Sequence, residues 1–276
     1  LGPEKFIESI KEYAPEFYPA IAIYYNRFMI ASGTDDNDKY YTELKGLILK
    51  NINLFSRFEK YNLMLFLENS CDEKILSGRD FRIELHNIQK EMLSKKLYTS
   101  EDKDYFPLVR FRKIIRNALS INEIKWTEEF VKNYADKLPE VYRENMYNYA
   151  RANLFFKAGK FESALENISK VKFEIYSMKF DVWVFKLCTE FELKYFEEAL
   201  YTLDSYKHLL KSDVTTPLWM KKRFLNFIKY FQIILNNKMG KKSGKFSLTG
   251  LADEISANTD VLEKHWLIQK IAQQER

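Results

Sequence analysis

The chain has 276 residues, 46% of them hydrophobic, which argues against a disordered polymer and allows either one extended domain or two compact ones. Phe (22) and Tyr (18) abound while Gly (8) and Pro (6) are scarce, a balance that favours long helices joined by short loops. The net charge of +5 is local: eight Lys/Arg and no Asp/Glu lie between Val214 and Ala252, leaving the remainder at −3.

Residues 16–31 are read as the first helix, because Phe17, Ile21, Tyr24, Tyr25 and Phe28 follow helical spacing. Gly33 and the run from Thr34 to Asp38 break it, and the acidic run suits the start of a second helix over 39–53, whose apolar set is Tyr40, Leu44, Leu47 and Ile48, with Phe55 just beyond. A third helix spans 58–76 and closes at Ser77-Gly78. Asp80 is expected to cap the fourth, which carries Phe81, Leu85, Ile88 and Met92. Residues 99–104 read as a polar loop. Pro107 then falls in the first turn of a helix whose face is Leu108, Phe111, Ile115 and Leu119, and its partner runs over 126–138.

Pro139 opens a helix to Lys157 that is apolar over most of its circumference, as a helix between two neighbours must be. Gly159 ends it. Helices over 161–171, 181–193 and 196–210 follow, and Thr216-Pro217 starts a long one bearing Met220, Phe224, Phe227, Phe231 and Ile234. Residues 240–245 form a Gly/Lys/Ser linker, and two short helices close the chain. The expected layout is one repeat domain over 1–276. Its hairpins lie at about 16–53, 57–95, 104–137, 140–171 and 178–211. A long helix at 215–237, a linker at 238–246 and a cap at 247–274 complete it.

A repeat organises this series. Phe161, Glu162, Ala164 and Leu165 recur 35 residues later as Phe196, Glu197, Ala199 and Leu200, and periods near 34 residues mark arrays of helix–turn–helix units. Within 145–178, Asn148 takes a large position and Ala152 a small one, followed by Phe155, Gly159, Phe161, Ala164 and Ile168. The two alanines permit close helix approach and Gly159 the tight turn. The second copy offers Trp183, Phe196, Ala199 and Leu203 without the glycine. A third echo is read at Trp126–Phe130, with Glu129 where alanine is expected.

This pattern resembles a degenerate tetratricopeptide-like solenoid, an all-α right-handed superhelix with a C-terminal helical cap. More narrowly, the chain is similar to the C-terminal helical region of uncharacterised bacterial proteins of the Bacteroidota lineage. That likeness rests on Leu65–Cys71 with Gly78, on Trp126–Tyr134 and Ala152–Leu165, and on Phe224–Ile228 and Lys264–Leu267. The likeness implies a fold and no activity. In the tetratricopeptide register, Tyr149, Asn153, Phe156 and Lys157 face the concave groove, which implies peptide or protein binding there. Asn153 falls where clamps for a peptide carboxylate place Asn, but Tyr149 stands where their Lys would be.

No catalytic constellation emerges. His86, His208 and His265 stand alone on separate helices, and no CxxC or HExxH occurs, so no metal or cofactor is expected. Gly240–Phe246 lacks the length, the Ser/Thr and the preceding strand of a phosphate loop. Asn167-Ile168-Ser169 matches a glycosylation sequon but lies inside a helix, and adjacent glutamates such as Glu197-Glu198 point about 100° apart on a helix rather than pairing. The basic candidates Lys221, Lys222, Arg223, Lys229, Lys241, Lys242 and Lys245 could meet phosphates or an acidic partner. The aromatics among them form a separate core stripe.

The leading expectation is therefore a non-catalytic protein-interaction or scaffold module. Nucleic-acid or acidic-partner binding through 221–245 is the alternative. Cys71 and Cys188 read as buried, reduced thiols, and no signal peptide or bilayer-spanning run is visible, which together imply a cytoplasmic location with no membrane partner. The chain begins with Leu1 rather than Met, so it reads as a fragment, and whether a domain precedes it is left open by the sequence.

Overall fold

The computed structural model describes residues 2–33, 37–101, 105–172, 176–240, 248 and 250–274, apart from the side chains of Glu4 and 176–178. The described residues form α-helices and two short 3-10 turns, with no strand. In chain order these are α1 (Pro3–Tyr13), α2 (Tyr18–Ala31), α3 (Asn37–Asn51), α4 (Arg57–Leu76), α5 (Arg82–Ser94), α6 (Leu108–Ser120) and α7 (Ile124–Tyr134). Then follow α8 (Glu140–Lys157), α9 (Phe161–Ser169), α10 (Tyr176–Glu192), α11 (Phe196–Ser212), α12 (Leu218–Lys238), α13 (Leu251–Ala257) and α14 (Lys264–Ala272).

Two boundaries differ from the sequence reading. A helix over 3–13 precedes the first expected one, with Pro3 in its first position, where no amide hydrogen is needed. Asp80 does not cap α5. Phe81 holds that place without a side-chain cap, while Asp80 faces Arg82 at 3.6 Å. A full capping box stands at α4 instead: Ser56 Oγ accepts from the Glu59 amide, and the Glu59 carboxylate accepts from Ser56 N at 2.9 Å.

The chain gathers into two compact units, 1–117 and 118–276. In the first, α1 packs on α2, α2 on α3, α3 on α4 and α4 on α5. Its core holds Ile23, Leu44, Ile48, Leu63, Leu67 and Cys71. In the second, successive helices from α7 to α12 pack on one another, and α14 packs on both α12 and α13. Its core runs from Phe180 to Ile271 and centres on Leu187, Leu203, Tyr206, Phe227 and Phe231. The two closing helices are fastened there. Trp266 stacks on Phe231 at 6.0 Å, its Nε1 donates to Glu192 Oε1 at 2.7 Å, and Lys270 pairs with Glu192 at 2.6 Å.

Three turns of the second unit share one geometry. Gly159 has φ +72°. Its amide donates to Phe156 O, and that of Lys160 to Phe155 O, at 3.0 and 2.8 Å. This is the Schellman closure, which satisfies carbonyls that the helix end leaves unpaired. Lys194 (φ +63°) repeats it with bonds of 3.1 and 2.9 Å, so the second copy keeps the turn without the glycine. Asn122 (φ +66°) repeats it again at the end of α6. The helix after this turn begins at Ile124, two residues before the echo read at Trp126. Thr127, fully buried, takes the small position of Ala164 and Ala199, and Glu129 does not. An aromatic contact spans two of the three turns, Phe156 with Phe161 at 5.3 Å and Phe191 with Phe196 at 5.6 Å, while Leu119 and Ile124 hold these places at the third.

Candidate interaction surface

The apolar stripe that identifies α2 in the sequence is not the face it buries. Ala22, Ile23, Asn26 and Ile30 point inward, whereas Phe17 and Phe28 are 60% and 66% exposed and Tyr24 is 48% exposed. The helix is thus apolar on two sides, and only one has a filled interior behind it. Phe6 of α1 is also 53% exposed. With Ile7, Ile21, Tyr24, Tyr25 and Phe28 it surrounds an open hollow of about 430 Å³.

A second hollow, of about 350 Å³, lies between α2 and α4 and shares Tyr24 with the first. Phe58, Asn62, Leu63, Phe66 and Asn69 line it, as does Arg27. Phe58, Asn62, Phe66 and Asn69 recur at helical spacing, so α4 offers a continuous face. The Arg27 guanidinium lies 4.9 Å from the Phe66 ring centre and 5.6 Å from that of Tyr24. Phe58 is itself 62% exposed. Side chains this large left open together on a well-packed helix pair are the usual mark of an interaction site.

The residues assigned to a groove from the sequence fare unevenly. Tyr149 is 2% exposed and belongs to the interior, which corrects its assignment to an open groove. It stands midway along α8, a helix packed against both α7 and α9, where a central side chain is covered. Asn153 is half-buried and spends its amide on its own helix, donating to Tyr149 O at 2.8 Å. Phe156 is half-buried against Phe161 and Phe185, and Lys157 is exposed.

The basic segment is largely matched by acids. Lys222 pairs with Asp260 and Lys229 with Glu254, each at 2.7 Å. Lys221 donates to the Asp213 carbonyl and stands 3.9 Å from its carboxylate. The Arg223 side chain is engaged as well. Lys241, Lys242 and Lys245 fall outside the described residues. The Glu254 carboxyl is held below its usual range by the Lys229 ammonium and the Tyr230 hydroxyl. Phe224, Phe227 and Phe231 are core, in line with the stripe expected.

Buried polar groups elsewhere are knitted into the frame. Glu68 accepts from Arg110 at 2.8 Å, Lys113 at 3.0 Å and Gln89 at 3.2 Å, and Asn117 donates to Gln89 at 3.1 Å. Burial pushes the Glu68 carboxyl up, but Arg110 and Lys113 pull harder, so it stays below its usual range. Tyr41 joins Cys71 Sγ at 3.1 Å and donates to Glu84 at 2.9 Å, and burial raises the Cys71 thiol to about 11. A thiol so held is a poor nucleophile. Both cysteines are buried. Among the described residues no group of His, Cys, Asp and Glu could hold a metal ion, and no helix is long and apolar enough to cross a membrane.

The sequence reading missed Phe6, Arg27 and Phe58. The signal present was the double apolar character of α2, whose residues 18–31 carry one apolar set at Ala22, Ile23 and Ile30 and another at Ile21, Tyr24 and Phe28. No family model, no curated protein and no solved structure matches this chain.

Proposed function

We propose that the chain is a non-catalytic protein-interaction module built of tetratricopeptide-like hairpins, which docks an apolar segment of a partner against α1, α2 and α4. The observation that carries this reading is the outward aromatic stripe of α2, open around the first hollow while the opposite face fills the core. Sequential helix packing and the thrice-repeated turn support the repeat architecture, since each unit of such an array meets mainly its neighbours. A helical or extended segment laying apolar anchors into a groove fits hollows of this size. Nucleic-acid or acidic-partner binding through 221–245 draws less support, because its described lysines already meet carboxylates.

The test is selection of a displayed random-peptide library on the purified chain, followed by titration of the winners against wild type, Phe6→Ser and Phe28→Ser. Both positions are more than half exposed, so the variants keep the fold. The expected result is at least tenfold weaker binding by both variants. Unchanged binding would remove the surface from consideration. Retention of RNA on the wild-type chain, lost steeply with salt, would instead favour the basic segment.

A further inference from the structure

We infer that the second hollow is a receptor for an acidic side chain, so that the docked segment carries Asp or Glu beside its apolar anchor. The inference rests on the docking reading above and specifies the partner's chemistry. Arg27 is the centre of it. Its guanidinium is half-buried and is clamped over two rings, at 4.9 Å from Phe66 and 5.6 Å from Tyr24. Among the described residues it makes no ion pair and no hydrogen bond.

The acid that shares this hollow is already committed. Glu59 accepts from Ser56 N at 2.9 Å and from Ser56 Oγ at 2.7 Å, and its carboxyl is lowered by those bonds. These donors are neutral, so Glu59 keeps its negative charge in the same hollow, but it forms no ion pair with Arg27, whose fork is left without a bonded acid. The two ring contacts restrict the side chain and reduce the entropy lost when it binds. Asn62 and Asn69, one and three turns further along the same face of α4 than Phe58, make no hydrogen bond among the described residues and line the same hollow. Their amides add neutral hydrogen-bond donors to the lining beside the fork.

The two hollows meet at Tyr24, so the anion and the apolar anchor occupy adjoining places. The second hollow is open at its rim, where Asn69 and Phe58 are exposed. A chain can thus run on past it, which points to an acid within a segment rather than a terminal carboxylate. Charge complementarity selects the occupant: a neutral apolar segment would fill the first hollow and leave Arg27 facing water.

The experiment uses peptides selected on the wild-type chain from a library displayed with both peptide ends blocked. The winners are titrated against wild type, Arg27→Gln, Arg27→Lys and Phe28→Ser, after thermal melts establish that each variant folds. Selected peptides should carry Asp or Glu close to an aromatic or Leu. Arg27→Gln should weaken them about tenfold, the scale of a lost charge-assisted bidentate contact, and Arg27→Lys should fall between. Replacing the peptide's acid by its amide should give the same loss on wild type and none on Arg27→Gln. Winners without acidic enrichment, or binding lost in Phe28→Ser but kept in Arg27→Gln, would overturn the carboxylate site while leaving the docking surface intact. Indifference to both Phe28→Ser and Arg27→Gln would overturn the docking surface itself.

Discussion

Lys194 holds a left-handed conformation that Gly159 holds in the preceding copy, with φ of +63° and +72°. Exchanging the residue types tests whether the two turns are the same device. A non-glycine residue in this region costs roughly 1–2 kcal/mol from the approach of Cβ to the following carbonyl. Replacement by glycine relieves that strain but gives the unfolded chain back roughly 0.4–1 kcal/mol of entropy. The Lys194 side chain is exposed and makes no hydrogen bond or ion pair among the described residues, so its removal adds little. Lys194→Gly should therefore stabilise the second unit by about 0.5–1 kcal/mol. At Gly159 an added Cβ would meet nothing within 4 Å, so Gly159→Ala carries the same two opposed effects with the sign reversed, about 0.5–1 kcal/mol of destabilisation. The assay is urea unfolding followed by tryptophan fluorescence, which reports the second unit alone, because all four tryptophans (126, 183, 219 and 266) lie within it. The midpoint should rise for Lys194→Gly and fall for Gly159→Ala at constant slope. A lower midpoint for Lys194→Gly, or a neutral Gly159→Ala, would refute the equivalence of the two turns.

Three further outcomes follow from the buried polar groups. Tyr206 is fully buried and its hydroxyl has no partner, so Tyr206→Phe should keep the stacking on Trp183 and raise stability by about 1 kcal/mol; a loss of that size in the same urea titration would show a hidden partner. Burial raises the Glu190 carboxyl above its ordinary 4.5, against the Thr202 hydroxyl and the Lys186 ammonium, and leaves Oε2 unbonded. The folded state thus prefers its proton, and ionisation opposes folding as pH rises through the raised value. Glu190→Gln should stabilise the second unit at pH 7, with the gain fading toward pH 4.5, and a pH-independent difference in melting temperature would contradict this assignment. Arg110→Met should strand Glu68 with Lys113 as its remaining cation and cost about 3 kcal/mol, the lower end for a broken buried pair. Adding Glu68→Gln should recover part of that loss, and strictly additive effects in a double-mutant cycle would mean the two groups do not act together.

The proposed surface differs in kind from the groove the sequence pointed to. Tyr149 reads as a groove residue because a family register places it there, but its ring is enclosed. Phe28 reads as an ordinary member of an amphipathic stripe, yet it stands open. Both outcomes turn on which side of a helix its neighbours cover, and no local pattern records that.

What the sequence by itself determined is the helical character and the position of most helices, because these depend on spacing within a few turns of chain. Pro139, Gly159 and the 35-residue recurrence of Phe161 and Phe196 all act locally. The tertiary structure alone decided the division into two compact units and the burial of Thr127 rather than Glu129. It also decided that Lys194 does the work of a glycine, since the closing bonds from the amides of Lys194 and Tyr195 hold the strained turn in place. The matching of Lys222 and Lys229 by Asp260 and Glu254 spans 25 or more residues, and the isolation of Arg27 depends on acids far along the chain being used elsewhere. Charge in a sequence is a sum over residues, whereas charge at a surface is what remains after the fold has paired them.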